Sequence, residues 1–176
     1  MFNSRRKLLE MSKERYLSIL NDIKEQGGSE QGQSPNENVL IIDGLNTFIR
    51  VFSVIPTTND NGTHIGGIVG FLKSIGYTIN MFRPTRCIII WDGKGGSSRR
   101  RKMYPEYKAK RKTNIRLNRA YDFETIEEER ANMIRQIQRT IKYLDFLPIT
   151  MLSIDNVEAD DIIAYASKQV LTDSKV

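Results

Sequence analysis

Apolar positions alternate between two rhythms along the chain. Unbroken runs at residues 39–42, 86–91 (RCIIIW) and 149–154 (ITMLSI) have the length of strands buried on both faces. Between them the spacing turns helical. Ile68, Phe71, Leu72, Ile75 and Ile79 make one stripe over residues 66–82, closed by Pro84. Ile126, Ile134, Ile137, Ile141 and Leu144 make another, from Thr125 to about Phe146, opened by a capping box of Thr125 and Glu128 and closed by Pro148. Residues 46–52 fit a short helix, and residues 157–171 a last one with Ile162, Ile163, Ala166 and Val170 inward. Strand then helix, three times over, predicts an α/β fold: an open, mostly parallel sheet with helices on both faces.

Ahead of this core, Leu9, Tyr16, Leu20 and Ile23 predict a helix over residues 4–25, stopped by Gly27 and Gly28. Residues 27–37, GGSEQGQSPNE, lack apolar anchors. The expected organisation is a helical appendage at 1–26, a flexible linker at 27–37 and a domain at 38–176. Residues 56–64, PTTNDNGTH, read as a loop in which His64 is a turn residue without a catalytic part.

Composition narrows the chemistry. No apolar run approaches the roughly 20 residues that span a bilayer, and the charged N-terminus is not a signal peptide, so the expectation is a cytoplasmic protein with no membrane partner. One cysteine, Cys87, sits in an apolar run and one histidine in a loop, which excludes a disulfide framework and a cysteine-rich zinc site. A metal site must then be built from carboxylates, which suits Mg²⁺ or Mn²⁺. The net charge is +6, yet Arg99, Arg100, Arg101, Lys102, Lys108, Lys110, Arg111, Lys112, Arg116 and Arg119 face one acid, Glu106, across residues 99–119. Such a block fits a polyanionic partner; a solvated loop is the plainer alternative.

Functional groups of an open parallel sheet gather at the carboxyl ends of its strands. Asp43 follows the first strand, Asp92 the second, and Glu158, Asp160 and Asp161 the third. One such acid is ordinarily a turn former or helix cap. Five on one edge repel one another unless a cation neutralises them. Glu158 and Asp161, three apart, share a helix face, while Asp160 points elsewhere unless it reaches forward in the first turn. Cations of the basic segment over this edge would hold a phosphodiester, and Tyr104 and Tyr107 could stack on an unpaired base. Residues 99–122 have weak helical patterning and read as an arch that orders on its substrate. Residues 93–98, GKGGSS, lack the spacing of a phosphate loop, and their glycines read as an arch hinge.

Together these motifs resemble the 5′-to-3′ exonuclease and flap endonuclease superfamily, especially its phage branch, often called phage RNase H. The matching pieces are Ile41-Ile42-Asp43-Gly44, Trp91-Asp92-Gly93-Lys94, Tyr104-Pro105-Glu106-Tyr107-Lys108 with Arg111, and Val157-Glu158-Ala159-Asp160-Asp161. The resemblance implies a PIN-like 5′-nuclease domain and a two-metal phosphodiesterase acting on DNA or RNA–DNA with a 5′ flap or 5′ end. It places Asp43, Asp92, Glu158, Asp160 and Asp161 as metal ligands for two Mg²⁺ or Mn²⁺ ions. It gives Lys108 and Arg111 the scissile phosphate. Arg99, Arg100, Arg101, Lys102, Tyr104, Tyr107, Lys110 and Lys112 complete the expected nucleic-acid surface in an arch at about 94–122. The family continues with a fourth strand bearing an aspartate pair and a helix-turn-helix part, both expected to be lacking here. A fragment, a split enzyme completed by a second polypeptide, and a degenerate binder are the three resulting expectations. If phage-encoded, it would act in the host cytoplasm. A non-catalytic nucleic-acid-binding module and a single-strand ribonuclease remain the competing readings.

Overall fold

The computed structural model describes residues 35–109 and 115–176. The expected helix at 4–25, most of the linker, and Lys110, Arg111 and Lys112 lie outside the described residues. The elements are β1 (Val39–Asp43), α1 (Gly44–Phe52), α2 (Gly66–Phe82), β2 (Arg86–Asp92), α3 (Ser98–Met103), α4 (Ile126–Leu144), β3 (Thr150–Ile154) and α5 (Ala159–Tyr165), which runs into a π turn, Ala166–Val170.

The sheet is parallel, in the order β1-β2-β3. Leu40 pairs with Cys87 and Ile42 with Ile89 on one side of β2; Ile88 pairs with Thr150 and Ile90 with Leu152 on the other. Successive side chains of a strand face opposite ways. Cys87, Ile89 and Trp91 accordingly pack with Phe48 and Phe52 of α1, Phe71 and Ile75 of α2 and Leu144 of α4. Ile88 and Ile90 pack with Val39, Ala159, Ile162 and Leu171 on the opposite face. Both faces are covered, as the unbroken apolar runs require, and each fully buried Phe or Ile contributes about 1.5–3 kcal/mol. On the outer edge of β1, Val39 N donates to Lys175 O at 2.8 Å and Lys175 N to Glu37 O at 2.9 Å, an isolated parallel bridge in a fourth position.

Three local expectations need correction, after one junction that sets the site: β1 runs straight into α1, with Asp43 as its N-cap. Gly44 is needed there because a Cβ would stand 2.8 Å from the Trp91 ring. On α4, Ile134 is exposed; Ile137 and Ile141 are half-buried against the core and Leu144 is buried as expected, but the other fully buried positions are polar, Glu129, Asn132, Gln136 and Thr140. That polar stripe receives His64, which is 1% exposed rather than a turn residue. The Gln136 amide donates to His64 O at 2.8 Å, and the imidazole Nε2 lies 2.7 Å from Ile55 O. Finally, Leu171 N donates to Ala166 O, five residues back, and this wider turn advances the helix phase. Leu171 is therefore buried where Val170 was expected, and Val170 is exposed.

Candidate active site

The acids sit at the carboxyl ends of the strands: β1 passes directly into α1, residues 93–97 follow β2, and residues 155–158 join β3 to α5. Asp43, as N-cap of α1, accepts from Asn46 N at 2.9 Å. Asp92 ends β2 and accepts from Ala159 N, the first residue of α5, at 2.8 Å. Glu158 is the N-cap residue of α5, and Asp160 and Asp161 occupy its first turn. Two helix N-termini therefore face the acid cluster, and their positive ends ease its repulsion.

Asp43, Asp92, Glu158 and Asp160 line one cleft of about 420 Å³, with Leu45, Asn46, Ile49, Lys108 and Leu117. Asp161 lies beside it, in an adjoining cleft with Gly96, Arg99, Arg100 and Met103. Among the described residues, no three acidic, histidine or cysteine side chains converge closely enough to share one ion.

Two electrostatic halves explain that spread. On one side, burial pushes the Asp43 carboxyl above its ordinary range, and the charges of Asp92 and Asp160 raise it further against the lowering hydrogen bond from Asn46. No ion pair satisfies Asp43, Asp92 or Asp160 among the described residues. On the other side, Glu158 is 4% exposed and fully engaged. Its Oε1 pairs with Lys108 Nζ at 2.6 Å, and its Oε2 accepts from Tyr107 OH at 2.9 Å and from Arg100 Nη1. The second nitrogen of Arg100 reaches Asp161 Oδ1. Burial pushes Glu158 up, but the hydrogen bonds from Lys108 and Tyr107 and the charges of Lys108 and Arg100 hold it below the usual carboxylate range.

The basic segment is thus docked at both described ends. Residues 98–103 form the short helix α3 where weak patterning was expected. The expected hinge glycine Gly93 is in fact a close-packing position: a Cβ there would stand 1.7 Å from Ile154 O. Tyr107 is half-buried between Lys108 Nζ, 4.9 Å from its ring centroid, and Arg100 Cζ, 5.4 Å away. Arg99, Arg101, Lys102 and Tyr104 are exposed and Arg100 is half-buried. At the far end, Leu117 N and Asn118 N donate to Glu129 Oε1 at 2.7 and 3.1 Å, Asn118 Nδ2 donates to Phe52 O, and Arg119 N donates to Ser53 O at 2.9 Å. Glu129 and Asn118 were missed from sequence. The signal was a polar residue at core spacing on α4.

The donor set fits a hard cation. Its acids offer carboxylate oxygens, three of the four from helix starts, and among the described residues Asp43, Asp92 and Asp160 form no ion pair. Sharing an ion requires these side chains to close in.

Comparison with known proteins agrees with this architecture. A family model described as the 5′-3′ exonuclease, N-terminal resolvase-like domain, matches residues 38–176, and the chain belongs to that family. It is 30% identical over 121 residues to a DNA polymerase I from Treponema pallidum, covering 69% of this chain and 10% of that protein. It is 30% identical over 125 residues to a flap endonuclease Xni from Shewanella sp. strain W3-18-1, covering 71% of this chain and 40% of the relative. A 5′-3′ exonuclease of Mycobacterium tuberculosis is 27% identical over 127 residues, covering 71% and 39%. The chain spans less than half the length of these curated relatives. Among solved structures, the bacteriophage T5 D15 protein co-crystallised with metal ions superposes with a TM-score of 0.56 at 23% identity, covering 77% of this chain and 45% of that one. A complex of the T5 D15 flap endonuclease with DNA and metal ions gives a TM-score of 0.57 at 22% identity, covering 76% and 44%. These likenesses show the shared fold. No described helix is long and apolar enough to cross a membrane.

Proposed function

We propose that this chain supplies the carboxylate wall and basic arch of a divalent-metal-dependent 5′ nuclease that hydrolyses phosphodiesters at flaps and 5′ ends of DNA or RNA–DNA in the cytoplasm. The observation that carries the reading is the single cleft lined by Asp43, Asp92, Glu158, Asp160 and the arch residue Lys108. In this reading residues 38–176 are the nuclease domain, 94–122 its arch, and 1–37 an appendage and linker.

Asp43, Asp92 and Asp160, with Glu158 and Asp161 beside them, would hold Mg²⁺ or Mn²⁺, two ions in the complete site. The cation supplies charge neutralisation for the phosphate and lowers the pKa of its own water. The protein's own groups do the rest. Asn46 N and Ala159 N fix the Asp43 and Asp92 carboxylates through one oxygen each and leave lone pairs toward the cleft. Lys108 lines the same cleft and brings an ammonium to a bound phosphate. Arg111 is assigned the same role from the motif, and the exposed Arg101, Lys102 and Tyr104, with Arg99, Arg100, Tyr107, Lys110 and Lys112, present cations and aromatic faces to the strand.

The test is cleavage of a 5′-labelled flap DNA in Mg²⁺, beside plain single-stranded RNA, by this chain and its Asp92→Asn variant. The reading expects metal-dependent cutting near the branch, lost by at least about a hundredfold in the variant. Salt-sensitive DNA binding indifferent to Mg²⁺ and to Asp92→Asn, with no cutting, would replace it with a non-catalytic binding module. A preference for the plain RNA would replace it with a single-strand ribonuclease.

A further inference from the structure

Arg100 of the basic segment is held by the protein's own acids in this structure. Its guanidinium bridges Glu158 Oε2 and Asp161 Oδ1 and also donates to Tyr107 OH at 2.9 Å. Lys108 closes the other oxygen of Glu158. These contacts join α3 and the following turn to the start of α5, across fifty or more residues of chain. The Lys108 backbone is strained there: its φ is +59°, in the left-handed region that disfavours a non-glycine residue. Among the described residues Asp43, Asp92 and Asp160 have no such partner, so the five acids divide there into a compensated pair and an uncompensated trio.

We propose that Arg100 is a positioning residue that, together with Lys108, serves as the internal counter-ion of Glu158 and Asp161. It keeps that half of the cleft closed to a divalent cation until the segment around residues 98–108 lifts away. The proposal rests on the reading of the cleft as a cation site. Arg100 and a divalent ion both seek the Glu158 and Asp161 oxygens, and two cations within a few ångströms repel, so each weakens the other. Linkage makes the effect reciprocal: whatever Arg100 subtracts from cation affinity, the cation subtracts from docking of the segment. A cation would enter first at Asp43, Asp92 and Asp160. Occupation of the Glu158 side then releases Arg100, Tyr107 and Lys108, turning three groups that hold the cleft shut into groups free to grip a nucleic-acid strand.

The experiment is calorimetric titration of Mn²⁺ into the full chain without nucleic acid, for wild type, Arg100→Gln, Arg100→Lys and Arg101→Gln. It is paired with amide hydrogen exchange across residues 98–108. Arg101, the next residue, is exposed and makes no ion pair among the described residues, so it controls for loss of a positive charge that holds no acid. The proposal expects Arg100→Gln to bind Mn²⁺ about 5–10-fold more tightly, Arg100→Lys to fall between, and Arg101→Gln to stay within about twofold. It expects Mn²⁺ to speed exchange of residues 98–108 in the wild type. Mn²⁺ binding that is unchanged or weaker in Arg100→Gln, with no change in exchange, overturns the counter-ion role and leaves the cation site standing. No Mn²⁺ binding by any of the four overturns both.

Discussion

Asp43 carries two duties that one substitution separates. It caps α1 through Asn46 N, and it bears a charge that burial and its neighbours Asp92 and Asp160 disfavour. A carboxyl whose pKa is higher folded than unfolded costs stability once pH rises through that interval, and the cost persists at neutral pH. Asn caps as well as Asp. Asp43→Asn should therefore raise the Tm of the metal-free protein at pH 7 by about 2–4 °C, give no gain at pH 3, and abolish stabilisation by Mg²⁺. A lowered Tm at pH 7 would show that the charge is not a burden. Glu158 has the opposite sign. Its folded pKa is depressed, so its ion pairs stabilise above the unfolded pKa and fade as pH falls through the folded one. Glu158→Gln should lower Tm at pH 7, with the gap to wild type closing in acid; a constant gap across pH would assign the loss to packing. The positions of these acids were legible because the apolar runs mark where strands end. Their division into two halves was not, since nothing local to Arg100 announces a partner 58 residues away.

At the scale of elements, the strands and long helices followed from periodicity, and the discrepancies have physical causes. The inward face of α4 carries polar residues beside Ile137, Ile141 and Leu144 because part of it closes over His64 and the backbone of residues 117 and 118, a tertiary demand that periodicity of apolar residues does not register. Glu129→Ala should leave two amides without their acceptor, a loss of about 2–4 kcal/mol by denaturant unfolding, whereas Glu129→Gln retains an acceptor and loses less. Equal losses would mean that the charge rather than the hydrogen bonds matters. The glycines after Asp92 looked like a hinge because glycine permits motion; Gly93 is there because Ile154 O leaves no space for a side chain. Gly93→Ala should destabilise by at least about 2 kcal/mol, and a neutral result would restore the hinge.

At the scale of the molecule, a parallel sheet places every candidate acid on one edge, and the described ends of the basic segment are anchored at Glu158 and at Glu129. Sequence placed the arch over the acids through order and charge; it could not show that the arch is bonded to them. Arg101 and Lys102 are among the segment's exposed cations in this docked state. Arg101→Gln and Lys102→Gln should each lower the slope of log affinity against log salt for flap DNA by about 0.7–0.9, with binding weakened alike across sequences. An unchanged slope would remove them from the interface.

The account stands on the cleft at the strand ends holding a divalent cation. Anomalous scattering from crystals of the chain grown with Mn²⁺ examines that most directly. It should show a peak bounded by Asp43, Asp92 and Asp160, absent from Asp92→Asn crystals. Ordered crystals with no peak in the cleft, at Mn²⁺ concentrations that occupy weak surface sites, would contradict it.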